Sequence, residues 1–333
     1  MRTAILVILI SFCTICNAET WVSPIDKKYQ LKSPDLYNKY VKARKALDRY
    51  RGRRETLLQA KVLLDDILAK DNKFAPAYRE YARLFLNAGH ISYGNYQQGA
   101  LGSTESVLLE AIKIEPEYAD AYVLLGHLYT QDKSFYEKAE EALKRAKEIG
   151  TEIPWLHLNY AELLNKTKRA SDSLEHYMKV INSETDNRNA YSSALEGAAR
   201  YYRNKKDYDE AKKWYIKSAN YDGSAWGWGE YSTFLLFKVG DIDNAIETGE
   251  KAISILPYGI GKFHLACAYY TKWAELINTD ADAAKIYFDK GVKLSPVSKE
   301  VIRKLSRYQP TKNAAIRLAI YYQESEVTES ISR

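Results

Sequence analysis

Cysteine is scarce in this chain, with three in 333 residues, at positions 13, 16 and 267. Two of them fall in the first 16 residues. Cys267 stands alone in the rest, so no internal disulfide framework can form there. The five histidines, His90, His127, His157, His176 and His264, are scattered. Neither a His-Glu-x-x-His pair nor a Cys-x-x-Cys pair occurs, which removes the usual zinc and dithiol signatures, and no metal or cofactor is expected. The glycines between 89 and 102 are not followed by Gly-Lys-Ser/Thr and make no phosphate loop. Past the first 16 residues no apolar run approaches the roughly 18 that a membrane-spanning helix needs. His264 and Cys267 lie three apart and could approach on one helix face. A nucleophilic thiolate also needs an orienting third group and an open cleft. The expectation is therefore a buried thiol, in a protein that is not an enzyme.

What is there begins with an export signal. Arg2 supplies a positive start, Ala4 to Cys16 is rich in apolar side chains, and Cys16-Asn17-Ala18 carries small residues at the positions a signal peptidase reads. Residues 1–18 are expected to be removed, which places the protein in the periplasm or outside the cell. An uncleaved anchor is the alternative. Phe12 and Ile15 precede the two early cysteines, where a lipid-attachment site needs a small residue.

A second pattern fills most of the chain. A small residue, a bulky one four on and a further one three beyond recur at Ala60–Leu64–Ile67, Thr104–Leu108–Ala111, Ala139–Leu143–Ala146, Ser173–Tyr177–Val180, Ala211–Tyr215–Ser218, Ala245–Gly249–Ala252 and Ala284–Phe288–Gly291. The steps between first members run from 34 to 44 residues, a period of stacked helical hairpins. Helix pairs are expected at about 55–86, 104–130, 136–164, 171–203, 207–237, 242–271 and 280–293. Insertions should interrupt them at Gly89 to Ser103, near Asn187 to Ser193 and near Ile277 to Ala281. Ahead of the repeats, Trp21 to Lys32 lacks a helical period and is expected to extend over the surface. Ser33-Pro34-Asp35 then starts a helix, with Leu36, Tyr40, Ala43, Leu47 and Tyr50 as its apolar stripe and Gly52 beyond its end. The domain plan is a signal at 1–18, an extension and basic first helix at 19–54, a solenoid at 55–296, and capping helices with a polar tail at 297–333, frayed from Gln323.

Residues 119–154 carry the most specific signal. Ala119-Asp120-Ala121-Tyr122-Val123-Leu124-Leu125-Gly126-His127-Leu128-Tyr129 resembles the first helix of a tetratricopeptide repeat, and Tyr136 to Ala146 resembles the second. Pro116, Pro257 and Pro296 fall at that family's inter-repeat turn. Thr104, Ser173 and Gly249 depart from its pattern. The resemblance, over about 40–296, implies an all-α, right-handed superhelical solenoid of about seven repeats plus C-terminal capping helices. It further implies a concave groove, lined by the first helix of each pair, that binds a protein or peptide partner. Transferred to this chain, the groove positions include Arg79, Arg83, His127, Glu162, Glu196, Arg200, Arg203 and Phe234, together with Val123, Leu158, Glu230, His264 and Ala268. The Lys and Asn set of the family's carboxylate clamp is absent. The arginines suit carboxylate or phosphate, or they bridge acids on neighbouring helices.

Two other features stand out. Residues 39–54 hold eight basic side chains and one acid, more positive charge than the whole chain's net +6. Lys39, Lys42, Lys45 and Arg49 fall opposite the apolar stripe. They read either as a solvated face or as a surface for anionic envelope polysaccharide or lipid; nucleic acid is not expected. Trp226 and Trp228, each beside glycine, either fill a repeat junction or stack on sugar or protein. The leading reading is an exported bacterial scaffold or adaptor of the cell envelope that binds its partner in the groove. The alternative is anionic glycan or membrane binding through the basic helix.

Overall fold

The computed structural model describes residues 22–50, 52–92, 95–167, 169–183 and 185–331, with no account of side chains at Ser92 and beyond Gln323. The signal segment 1–18 and Trp21 lie outside the described residues. Seventeen α-helices follow in order: α1 (Pro24–Lys32), α2 (Pro34–Asp48), α3 (Arg54–Lys70), α4 (Ala75–Gly89), α5 (Ala100–Ile114), α6 (Ala119–Tyr129), α7 (Tyr136–Ile149), α8 (Trp155–Lys166), α9 (Ala170–Asn182), α10 (Arg188–Asn204), α11 (Tyr208–Asp222), α12 (Ala225–Phe234), α13 (Ile242–Ile255), α14 (Gly259–Leu276), α15 (Ala281–Leu294), α16 (Lys299–Ser306) and α17 (Lys312–Ile331). A short antiparallel pair, β1 (His90–Ser92) and β2 (Asn95–Tyr96), sits between α4 and α5.

From α2 onward the helices pair as eight hairpins, each packed on the next. The repeated triplets sit on the second helix of seven hairpins and are almost all buried, as in Ala60, Leu64 and Ile67 or Ala139, Leu143 and Ala146. The small member lets two helices approach. Gly126 does the same from the first helix, because a Cβ there would meet the Leu143 side chain at 2.6 Å. Gly197 on α10 is likewise closed over by the ring of Tyr177. Tyr40, Phe74 and Tyr118 fill the first hairpins, and Tyr215, Phe234 and Tyr270 the later ones. Each such side chain stabilises the stack by about 1.5–3 kcal/mol through burial.

The structure corrects several expectations. Residues 24–32 are helical: Ser23 Oγ caps the Asp26 amide at 2.9 Å, and the helix docks through the buried Asp26 carboxylate and the Tyr29 ring, 4.7 Å from Phe74. Tyr29 Oη lies 2.7 Å from the Lys73 carbonyl and 2.9 Å from Glu115 Oε1. Asp26 accepts from Tyr118 at 3.0 Å, Tyr40 at 3.2 Å and Arg44 at 3.4 Å. Helix α5 begins at Ala100, not 104, because Gly99 at φ +81° turns the chain into it. Positions 188–193 are no insertion, since they form the start of a 17-residue α10 capped by Asn187. Helix α17 runs to Ile331, past the expected fraying point.

A charged network surrounds Asp26. Glu80 is fully buried and pairs with Arg79 and, at 2.8 Å, with Arg83. Arg83 also reaches Asp48 at 2.6 Å, and Asp120 accepts from Thr151 at 3.1 Å. Farther along the chain, Asn189 Nδ2 donates to the Asp48 carbonyl at 3.1 Å, joining the fifth hairpin to the first.

The last hairpin does not simply continue the stack. Its α17 packs on α14, and Pro310, between the two helices, touches Gly240. Val301 and Leu305 of α16 are buried in the same core as Leu265 and Cys267 of α14. The end of α12 widens into one π-helical segment, Leu235–Val239, which Gly240 closes at φ +84°. The Phe237 ring from that segment lies tilted against Tyr308, with centroids 4.7 Å apart.

Candidate functional site

The first helices of successive hairpins share a polar row. On α6 and α8, His127 Nδ1 lies 3.5 Å from Glu162, Lys166 reaches Glu162 at 3.1 Å, and Lys166 donates to the Thr130 carbonyl at 2.6 Å. Burial pushes the Glu162 carboxyl up, but His127 and Lys166 outweigh it and hold it at about 2. On α10, Arg200 pairs with Glu196 at 2.5 Å, and Arg203 donates to Tyr215 Oη at 3.1 Å. Burial raises Glu230 on α12, with the Glu196 charge adding to it and Arg200 and Arg203 opposing. On α14, His264 Nδ1 meets Thr233 Oγ1 at 2.9 Å. Neighbouring hairpins therefore present alternating charges to one another along one face.

That face is open only in its middle. At one end the β1–β2 hairpin leans on the row: Tyr96 packs against the N-terminal core, and the Glu162 charge helps raise its hydroxyl pKa, after burial. At the other end α16 packs on α14 and reaches over the π-helical segment that follows α12. Its Lys304 lies 4.9 Å over the Phe237 ring, and burial pulls the Lys304 ammonium pKa down. The exposed stretch runs from His127 through Glu162 and Lys166 to Glu196, Arg200 and Arg203, all half-buried.

Several expected groove residues lie elsewhere. Phe234 is 2 % exposed and belongs to the core beside Tyr215, with ring centroids 4.8 Å apart. Arg79 is buried against Glu80, and Arg83 is tied to Glu80 and Asp48, so both hold the fold together. Val123, Leu158 and Ala268 are also buried. Packing between adjacent first helices takes these positions before a ligand could. Sequence reading missed Lys166 as a member of the row, although its place four residues after Glu162 on one helix was a usable signal. The cover supplied by α16 left no local signal at all.

The basic helix divides in two. Lys39 is paired with Asp66. Lys42, Lys45 and Arg49 are exposed, and none of them pairs with an acid among the described residues. They form one wall of an open cleft of about 770 Å³, with Leu58 and Val62 of α3 opposite. The two tryptophans also separate. Trp226 is 53 % exposed, whereas Trp228 is 7 % exposed beneath the Lys251 ammonium, 3.5 Å from the ring centre. Cys267 is buried, and burial pushes its thiol up to about 12, away from a nucleophilic thiolate. Among the described residues no three or more His, Cys, Asp or Glu side chains gather where they could hold a metal ion. None of the described helices is long and apolar enough to cross a membrane.

Comparison with known proteins bears on the fold. A family model described as "Tetratricopeptide repeat" matches residues 119–149 and 192–224, which are α6–α7 and most of α10–α11. The Pseudomonas aeruginosa pilF structure superposes with a TM-score of 0.52 at 17 % identity, covering 72 % of this chain and 99 % of that one. The structure of the APC/C hetero-tetramer Cut9–Hcn1 gives a TM-score of 0.56 at 12 % identity, covering 85 % of this chain and 51 % of that one. No curated protein matches the sequence.

Proposed function

We propose that this chain, two stretches of which match a tetratricopeptide-repeat model, is an adaptor holding a partner segment on its inner face, as folds of that kind generally mediate protein–protein interaction. The observation that carries this is the uncovered stretch between Tyr96 and α16, where the half-buried Arg200 and Arg203 pair with Glu196 and the Tyr215 hydroxyl of their own chain. A part-exposed pair such as Arg200–Glu196 is worth about 0–1 kcal/mol and is readily exchanged for a partner's. The fitting partner is an extended or helical segment bearing carboxylates, which guanidinium groups receive in a bidentate fork. The export signal at residues 1–18 assigns the work to the cell envelope or the exterior.

A photo-crosslinking side chain placed at Arg203, and in parallel at Lys144 on the outer helix α7, tests the site. Capture of one partner from position 203 only, lost on Arg200→Glu, is the expected result. Equal capture from position 144, or capture untouched by Arg200→Glu, overturns it. N-terminal sequencing of the fractionated protein tests the location: a start at Glu19 is expected, and a chain retaining Met1 in the cytoplasm overturns it.

A further inference from the structure

Two histidines meet inside one hairpin. His157 on α8 and His176 on α9 have their Nδ1 atoms 3.0 Å apart. Both rings are half-buried, and the Tyr160 ring stacks on His176 with centroids 5.2 Å apart. The charges that face them are Lys147 on α7 and Lys179, Glu175 and Asp172 on α9. Lys179 is paired with Glu175 at 2.7 Å, so the surroundings are close to neutral. Burial keeps both imidazoles uncharged in ordinary buffer. It pulls His157 down to about 4, with the His176 charge adding to it, and it lowers His176 with help from Lys179. A neutral pair shares one hydrogen bond, one Nδ1–H donating and the other Nδ1 accepting. If the donor carries its proton on Nε2 instead, two lone pairs face the same gap and no proton is lost.

We propose that His157 and His176 form a copper(II) site, each binding through Nδ1, with water in the remaining positions. A metal–imidazole bond is about 2.0–2.1 Å long. An ion at that distance from two nitrogens 3.0 Å apart subtends roughly 90–100°, the cis angle of a square-planar ion. A tetrahedral ion needs the nitrogens about 3.3–3.4 Å apart. The ring centroids are 5.1 Å apart, so the rings point nearly at each other. Each must turn about its broad χ2 to bring its lone pair onto the ion. Copper(II) also binds nitrogen ligands most tightly among the divalent first-row metals. Two protein ligands are fewer than the four of a closed structural site, so the ion stays exchangeable. The site is independent of the inner-face reading, because it uses neither Arg200 nor Arg203.

Titration of the full chain, without a histidine tag, with copper(II) chloride tests the site by electron paramagnetic resonance. One equivalent giving a tetragonal spectrum with imidazole nitrogen couplings is expected. His157→Ala and His176→Ala should each weaken binding at least about tenfold, since losing even an outer-shell partner costs about 10–100-fold in metal affinity. Zinc(II) should bind at least about tenfold more weakly than copper(II). Copper should slow hydrogen exchange in α8 and α9 of the parent and in neither variant, because an ion bound only by the folded state stabilises it. Circular dichroism checks that each variant is folded, and His176→Gln, which keeps a polar side chain, replaces an alanine variant that is not. No copper binding, binding retained by either variant, or zinc bound as tightly as copper overturns the proposal. So does loss on His127→Ala alone, which would put the ion beside Glu162.

Discussion

The two ends of this solenoid are built from one plan and held by different forces. Near the N-terminus, Asp26, Glu80 and Asp120 are buried with Arg79, the part-buried Arg44 and Arg83 lie beside them, and helix α1 docks through Asp26 as well as the Tyr29 ring. Near the C-terminus, α16 docks through Val301 and Leu305 into a core of Leu265, Cys267 and Phe237. Buried ions are costly to desolvate and therefore demand particular partners, whereas apolar burial is less selective. The N-terminal end should thus be brittle toward single charge changes and sensitive to pH. The C-terminal end should yield by degrees as its core is trimmed.

The most damaging substitution should be Glu80→Ala. It leaves Arg79 and Arg83 without their buried partner and should cost about 3–5 kcal/mol. Hydrogen exchange should accelerate in α1 to α4 well before α13 to α17. Uniform loss of protection across both ends would break the contrast.

Leu305→Ala should follow, at about 2–5 kcal/mol, by opening a cavity under α16. Its readout is the thiol of Cys267, which is buried in the same core. Faster labelling of Cys267, with N-terminal exchange unchanged, is the expected pattern. Labelling no faster than in the unaltered chain would mean that α16 does not seal that core.

Acid acts on the N-terminal end in two opposite directions. Burial pushes the Asp120 carboxyl up to about 6, against the pull of Arg79. An acid whose pKa is raised by folding penalises the folded state once ionised. Stability at this site is therefore gained as pH falls from about 6 toward the ordinary 3.8. Glu80 runs the other way. Burial raises it, but Arg83, Arg79 and Arg44 prevail and hold it at about 2, so its contribution is present above the ordinary 4.5 and lost as pH falls toward 2. Asp120→Asn should flatten the pH dependence of N-terminal exchange between about 6 and 4 while leaving the C-terminal helices unaffected. Equal slopes in variant and parent would remove Asp120 from the account.

The smallest effect should come from Arg169→Ala. Arg169 pairs with Glu140 at 3.1 Å between exposed side chains. A change in melting free energy within about 1 kcal/mol is expected. A larger loss would show that surface pairs between hairpins matter as much as the buried network.

The stack was legible because its signal is local. Ala139, Leu143 and Ala146 share a face by spacing alone, and any partner helix must meet them. Members of the polar row such as Glu162 and Arg200 could likewise be placed on the first helices by counting along a helix. What spacing could not supply was the partner. Asp26 and Tyr29 in the polar run 24–32 are anchors only because Tyr118, Arg44 and Glu115 arrive from elsewhere in the chain. Phe234 sits at a groove position by count, yet Tyr215 and Tyr208 close over it. The cover by α16 depends on the path of the chain after Pro296, which no periodicity encodes.

The hydrogen bond from Asn189 to the Asp48 carbonyl changes what kind of object the chain is. A solenoid whose hairpins touch only their neighbours melts like a zipper, from either end inward. A bond between the first and fifth hairpins closes a loop around the three between them. Lengthening or twisting any of those three must strain or break the clasp, which couples their opening by about 0.5–1.5 kcal/mol, the net worth of one such bond. The hairpins beyond α11 lie outside that loop and are tied to it only by the core they share with α10 and α11.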